Sequence, residues 1–357
     1  MQRRVLFPWK LPNQPPPPNV KMARTVAHAL LRAASALLPT LLAAQSLRGI
    51  SAVSSSVAWA SGTGGTILRT IDGGRNWEPK PIPETTGLDF RAIRAFNSNL
   101  AIAMSAGPGD RSRMYKTADG GTHWDLLLKN EFPQGFFDAI AFWDEKRGIV
   151  LGDQVNGRMY VAATADGGKT WTRVRDTTLP VARPGEGAFA ASGTCLSVGD
   201  GGRAWFATGG PGGGRVFRSI DWAQSWQVSG TPIRHEADAS GIFSIAFRDA
   251  RHGIAVGGNY AKPAEDRDNI AITKDGGRTW TAPAGNRPAG YRSAVAYALN
   301  HREIIAAGTT GTDRSKDGGV TWTPVSKDNV NALSFAPDGS AWAVGPDRFL
   351  ALIVTVN

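Results

Sequence analysis

Six copies of one eight-residue phrase constrain this chain more than any other feature. They are Thr70-Ile-Asp-Gly-Gly-Arg-Asn-Trp77, Thr117-Ala-Asp-Gly-Gly-Thr-His-Trp124, Thr164-Ala-Asp-Gly-Gly-Lys-Thr-Trp171, Ser219-Ile-Asp-Trp-Ala-Gln-Ser-Trp226, Thr273-Lys-Asp-Gly-Gly-Arg-Thr-Trp280 and Ser315-Lys-Asp-Gly-Gly-Val-Thr-Trp322. Asp-Gly between apolar runs is a strong hairpin signal. The carboxylates of Asp72, Asp119, Asp166, Asp221, Asp275 and Asp317 can each accept backbone N–H groups of their own turn, and glycine supplies the positive φ such a turn needs. Trp77, Trp124, Trp171, Trp226, Trp280 and Trp322 open the return strands, where each can bury a large apolar area against a neighbouring sheet. The phrase is therefore a self-satisfied turn joined to a packing anchor. One carboxylate per turn is too few for calcium, which takes six to eight oxygens.

The six Asp residues are separated by 47, 47, 55, 54 and 42 positions. A period of this size, with several short strands per unit, predicts a β-propeller. Innermost strands are expected at 48–53, 91–96, 138–142, 194–198, 243–247, 292–297 and 331–335. The fold class is thus all-β, a seven-bladed propeller over residues 46–357 with six of the repeated turns, the seventh unit lacking one. Ring closure has two possible forms: residues 43–47 supply a missing outer strand, or the ends meet by packing alone.

The rest of the chain is an N-terminal leader. Residues 1–21 form a Pro-rich extension. Residues 22–45, with Arg24 ahead of an apolar run, have the form of a secretory signal cleaved near Ala44 or Gln45, and Met22 is an alternative start. The expected location is therefore periplasmic or secreted, with no membrane span after cleavage and a monomeric state. Residues 1–45 carry six basic residues and no acidic one, so 34 basic against 30 acidic residues remain, and the net +10 falls to +4. Without basic runs interleaved with aromatics, nucleic acid is not an expected partner. The single cysteine, Cys195, excludes an intrachain disulfide and reads as a small core residue. The five histidines show no metal-ligand spacing, and no cofactor is expected.

In a propeller the repeated turns lie at one end and the longer connections at the other, here residues 106–112, 172–193, 209–214 and 257–269. Variable loops on a rigid scaffold commonly carry binding. Aligning the first strands places Arg48, Arg91 and Arg292 in one register around part of the axial mouth, with Asp138 and Glu186 toward the other side. Such arginines could hold a carboxylate or phosphate, or could brace loops through Asp138, Glu186 or carbonyl groups. Glu265, Asp266 and Asp268 read as solvated loop acids.

The repeated phrase resembles the Asp-box (BNR repeat) of sialidase-like propellers. Further phrases narrow the resemblance: Leu47-Arg-Gly-Ile-Ser-Ala-Val, Ala141-Phe-Trp-Asp, Gly185-Glu-Gly-Ala-Phe-Ala-Ala-Ser-Gly-Thr, Ala246-Phe-Arg-Asp-Ala-Arg-His-Gly and Gly290-Tyr-Arg-Ser-Ala-Val. In this order they resemble bacterial proteins similar to the photosystem II stability and assembly factors, over roughly residues 47–350. The resemblance implies a seven-bladed propeller in an exported or lumenal compartment. It also implies a non-enzymatic role binding a protein partner, such as a membrane-complex subunit. The alternative is a sialidase-like glycoside hydrolase, with the three arginines on a sugar carboxylate, Asp138 or Glu186 as acid/base and Tyr291 or Tyr297 as nucleophile.

Overall fold

A computed structural model describes residues 32–33, 46–299, 302–346 and 350–354, with 32–33 and 350–354 described as backbone alone. The Pro-rich extension and almost all of the expected signal segment lie outside these residues. The described chain is an all-β propeller of antiparallel sheets.

Six sheets follow in sequence, each built from inside outward. Sheet one holds Leu47–Ala52, Ala58–Gly62, Ile67–Thr70 and Glu78–Pro79, and sheet two holds Asp89–Ala95, Ala101–Ala106, Arg113–Thr117 and Asp125–Lys129. Sheet three holds Phe137–Phe142, Gly148–Val155, Arg158–Thr164 and Thr172–Arg173, and sheet four holds Leu196–Gly199, Arg203–Ala207, Arg215–Ser219 and Gln227–Gly230. Sheet five holds Ser240–Phe247, Gly253–Asn259 and Ile270–Thr273, and sheet six holds Ala294–Tyr297, Ile304–Gly308, Gly311–Ser315 and Thr323–Ser326. A last sheet pairs Ala332–Phe335, Ser340–Val344 and Leu350–Val354, with Arg32–Ala33 on its outer edge. Six blades therefore stand in side-chain detail where seven were expected, and the last sheet is described in full only over its two inner strands.

Second strands such as Ala58–Gly62 and Ala101–Ala106 are buried along their whole length. They are covered on both faces, which suits continuous runs of small apolar residues. The outermost strands are largely exposed, as in Asp125–Lys129. Apolar clusters fill the wedges between sheets: Trp59, Phe90 and Tyr115 between sheets one and two, and Phe206, Trp226 and Leu151 between three and four. Trp77 meets Trp342 of the last sheet edge-to-face at 5.8 Å, within a cluster that joins Leu47, Ile50 and Ala52 to Ala332 and Val344. Hydrogen bonds cross the same junction, from Ala52 N to Ser334 Oγ and from Asn331 Nδ2 to the Leu47 carbonyl. Packing and side-chain hydrogen bonds join the first sheet to the last, and Arg32–Ala33 adds an N-terminal outer strand to that last sheet. Leu47 begins an innermost strand, so it does not belong to an added outer strand.

The repeated turns satisfy themselves as expected. Thr164 Oγ1 donates to Asp166 Oδ1 and accepts from Gly168 N, while Thr170 donates to Asp166 through both its backbone N and its Oγ1. The same set recurs around Asp72, Asp119, Asp221, Asp275 and Asp317. The fourth residue after each Asp (Asn76, His123, Thr170, Ser225, Thr279 or Thr321) is thus part of the device, bonding the carboxylate by side chain as well as backbone. In the fourth copy Trp222 and Ala223 take the left-handed φ that Gly-Gly takes elsewhere, 61° and 67°.

Candidate functional site at the axial mouth

The innermost strands share a local irregularity. Pairing in sheet one skips between Leu47 and Gly49, in sheet two between Phe90 and Ala92, in sheet three between Phe137 and Ala139, and in sheet five between Ile242 and Ser244. The skipped residues are Arg48, Arg91, Asp138 and Phe243. A bulge of this kind leaves one residue outside the ladder and re-aims its side chain. Four equivalent positions near the loop end of the strands thus carry two arginines, an aspartate and a phenylalanine.

Arg292 does not belong to this set. Ala294 pairs with Ala307 beside Gly308, as Gly49 pairs with Ser61 beside Gly62, so the sheet-six counterpart of Arg48 is Ser293. A shift of one residue sends a side chain to the opposite face. Arg292 is accordingly buried inside its own blade, where all five N–H groups of the guanidinium are used. Nε donates to Asp313 Oδ2 at 2.6 Å, Nη1 to Tyr291 O and Thr310 Oγ1, and Nη2 to Ala289 O and Asp313. It braces the loop and is closed to an added carboxylate.

Glu186 is also an internal brace. It accepts Arg215 Nε at 2.9 Å, Arg215 Nη2, Thr208 Oγ1 at 2.7 Å and Arg183 N at 2.8 Å, and it is buried with its partner. Among the loop acids, Glu265 pairs with Arg234 and Lys262, and Asp268 with Arg287. They form a partly exposed ion-pair network where simple solvation was expected.

Arg48 and Arg91 do share the mouth. Arg91 donates Nε to Asp89 Oδ2 at 2.8 Å and Nη1 to the Ala190 carbonyl. Arg48 Nε is buried without a hydrogen-bond partner among the described residues. Desolvation lowers the Arg48 pKa and the Arg91 charge adds to that, while Asp89 works in the opposite direction. Asp138 is buried with Oδ2 unpartnered. Burial, reinforced by the charge of Asp153, holds its carboxyl well above the usual range, against a smaller opposing effect of Arg91.

The loop ahead of sheet four runs across this mouth, a feature that spacing alone did not reveal. Ala188 N donates to Asp153 Oδ1 in sheet three, Ala190 O accepts from Arg91 beside sheet two, and Ser192 Oγ donates to Ser293 O at sheet six. A Cβ on Gly193 would meet the Ala92 side chain at 2.7 Å, so glycine permits the crossing. Phe189 stacks on Phe243 with centroids 3.9 Å apart, and Tyr260 and Tyr291 stand edge-on to Phe243. Tyr260 is about half exposed, at 53%. The loop is thus an axial plug, flanked by an aromatic cluster and by Arg48, Arg91 and Asp89, with Tyr291 of the cluster in electrostatic reach of Arg48. The bulge register identifies Phe243 as part of this site, and that signal is present in the sequence once the register is known.

This arrangement does not assemble three free arginines around a nucleophile. Burial raises the pKa of Tyr291 and of Tyr297, opposite to what activation requires. Burial likewise pushes the Cys195 thiol up. Among the described residues no group of three His, Cys, Asp or Glu side chains could hold a metal, and no helix is long and apolar enough to cross a membrane.

Comparison with solved structures returns propellers along nearly the whole chain. YCF48 bound to D1 peptide superposes with a TM-score of 0.62 at 19% identity, covering 88% of this chain and 95% of that one. YCF48 from Cyanidioschyzon merolae gives 0.63 at 20% identity, covering 90% and 98%. The WD40 β-propeller domain of Doa1 gives 0.58 at 12% identity, covering 88% and 94%. No family model and no curated protein sequence matches the chain. At these identities the likenesses show the fold, and the two YCF48 structures fit the assembly-factor-like family that the sequence phrases resemble.

Proposed function

We propose that this chain is an exported, non-enzymatic propeller that binds a segment of a protein partner at its plugged mouth, in the manner of an assembly factor. The observation that carries the reading is Arg48: a guanidinium at the loop-bearing mouth whose buried Nε has no partner among the described residues, within electrostatic reach of Arg91, Asp89 and Tyr291. A partly desolvated guanidinium next to aromatic surface suits a carboxylate-bearing peptide, since its planar fork pairs with carboxylate and its neighbours bury apolar area. The likeness to YCF48 bound to D1 peptide supports a peptide as the ligand class.

The finer points belong to the same reading. The repeated turns are Asp-boxes, the last sheet is the seventh blade, the chain works as a monomer, and residues 22–45 are removed on export, which takes the Arg32–Ala33 edge strand from that sheet and leaves it three strands. Mass measurement of the mature protein tests the last point, and a mass that retains residues 22–45 overturns it.

The test of function is capture from envelope fractions with the intact protein as bait, in parallel with an Arg48→Glu/Arg91→Glu variant. A partner recovered by the wild type and lost by the variant supports the proposal. No partner, or equal recovery by both, sinks it.

A further inference from the structure

The repeated phrase changes in its last two copies. The residue after its Ser or Thr is Ile71, Ala118, Ala165 and Ile220 in the first four copies, and Lys274 and Lys316 in the fifth and sixth. Ile71 and Ile220 are 51% and 64% exposed, so the turn itself does not call for a lysine here. Sheets five and six pack against each other, and the two lysines line one cleft of about 370 Å³ between them. Arg248, just after the first strand of sheet five, and Arg302, just before the second strand of sheet six, line it too, as does His252. Asp317 is the one carboxylate among the described lining residues. It is occupied by its own turn, accepting Ser315 Oγ, the backbone N–H of Val320 and Thr321, and Thr321 Oγ1. Asp275 is held in the same way. Asp249 accepts the backbone N–H of Arg251 and His252 and pairs with Arg248 at 3.4 Å and with the His252 ring. Glu303 pairs with Arg314 at 3.6 Å. Among the described residues neither Lys274 nor Lys316 makes an ion pair.

Cations from two blades thus converge on one concave space whose neighbouring carboxylates serve their own turns. Solvated charges of one sign in a cleft act through their summed field, which the low-dielectric walls focus. We infer that this cleft is a binding site for a phosphate-bearing ligand with at least two negative charges, held by Lys274 and Lys316 with Arg248 and Arg302 beside them. A phosphate offers several acceptor oxygens to donors arriving from both sides. The ammonium groups meet it as point charges on flexible stems. A monocarboxylate would answer one cation and leave the others facing each other. Such a ligand is either a soluble condensed phosphate or the headgroup of an anionic phospholipid. The cleft lies among the repeated turns, so the inference is independent of any partner at the plugged mouth.

The test uses the whole protein and two probes at low salt: inorganic pyrophosphate by calorimetry, and phosphatidylglycerol vesicles by co-sedimentation, with phosphatidylcholine vesicles as the neutral comparison. Wild type is compared with Lys274→Ala/Lys316→Ala, which places in both turns the residue that the second and third copies carry. A second double variant, Lys146→Ala/Lys169→Ala, removes the same charge near the turn of sheet three. At least one probe should bind the wild type saturably, bind Lys274→Ala/Lys316→Ala at least about tenfold more weakly and leave Lys146→Ala/Lys169→Ala unchanged. Binding should weaken as salt rises, and Lys274→Arg/Lys316→Arg should restore it. Pyrophosphate binding identifies a soluble phosphate as the ligand, and vesicle binding without it identifies a lipid headgroup. Should Lys274→Ala/Lys316→Ala unfold, protection of both lysines from acetylation in the wild type by pyrophosphate or phosphatidylglycerol vesicles, read by peptide mass, serves instead. Binding of neither probe, equal loss in the two alanine variants, or absence of protection by both probes overturns the assignment.

Discussion

Ser192 Oγ donates to the carbonyl oxygen of Ser293 at 2.7 Å, tying the loop ahead of the fourth sheet to the first strand of the sixth. These residues are 101 positions apart, so the bond joins two separate units of the ring. With Arg91–Ala190 and Ala188–Asp153 it fixes a crossing segment whose only large side chain, Phe189, lies flat on Phe243. Ser192, Gly193 and Thr194 of this segment also line a cavity walled by Ile50, Ala92 and Ile140.

Weakening the plug should therefore be visible without unfolding the ring. Phe189→Ala removes a stacked aromatic pair and part of its burial, and is expected to cost about 1–2 kcal/mol. Amide hydrogen exchange should rise in residues 187–194 and stay slow in the strands Ala101–Ala106 and Ile304–Gly308. Uniformly faster exchange would mean that Phe189 supports the whole fold and not a local closure.

The buried Glu186–Arg215 pair predicts a strong asymmetry between single and double substitutions. Glu186→Met leaves the Arg215 guanidinium uncompensated and should cost about 3–5 kcal/mol. Glu186→Met/Arg215→Met removes both charges and should cost clearly less than the sum of the single changes. Urea denaturation of the four proteins closes the cycle, and additive losses would show that the pair is not coupled.

Asp138 predicts a pH dependence of definite sign. Its folded-state pKa is raised by burial and by Asp153. Its contribution to stability is therefore fully present below the unfolded carboxyl pKa, and is lost as pH rises toward the folded value. Asp138→Asn should stabilise the protein at neutral pH by on the order of 1–3 kcal/mol, the usual scale for relieving a buried unsatisfied group. The gain should shrink toward zero as pH falls to about 4. Thermal melts across this range check it, and a gain that grows at low pH would contradict it.

Closure of the ring rests on Trp342. It is 2% exposed, meets Trp77 edge-to-face and donates Nε1 to the Ser54 carbonyl at 3.1 Å. Trp342→Ala should cost about 3–5 kcal/mol and should quench or shift the fluorescence of Trp77. Exchange should rise first in Leu47–Ala52 and Ala332–Phe335. Intact protection there would place the closure elsewhere.

The repeated phrase determined the fold class, because each copy carries its own turn, its own acceptor for that turn and its own packing residue. Those interactions lie within eight residues, so they are legible without the rest of the chain. The positions of the innermost strands were readable to within about three residues for the same reason. The roles of Arg48, Arg91, Asp138 and Glu186 were readable as a group near the mouth and not as individual functions. Arg292 shows why: the phrases Leu-Arg-Gly-Ile, Phe-Arg-Ala-Ile and Tyr-Arg-Ser-Ala align by eye, but pairing of Ala294 with Ala307 displaces the third by one residue, and in a strand one residue exchanges inside for outside.

What the tertiary structure alone decided were the relationships across the axis. The crossing of residues 187–194, the Phe189–Phe243 stack and the pairing of Glu186 with Arg215 join residues outside the repeated phrase. Local hydrogen bonding and apolar repetition write a blade into its own forty-odd residues. Which side chains face one another across the centre depends on the order in which blades meet around the ring, and no single repeat contains that information.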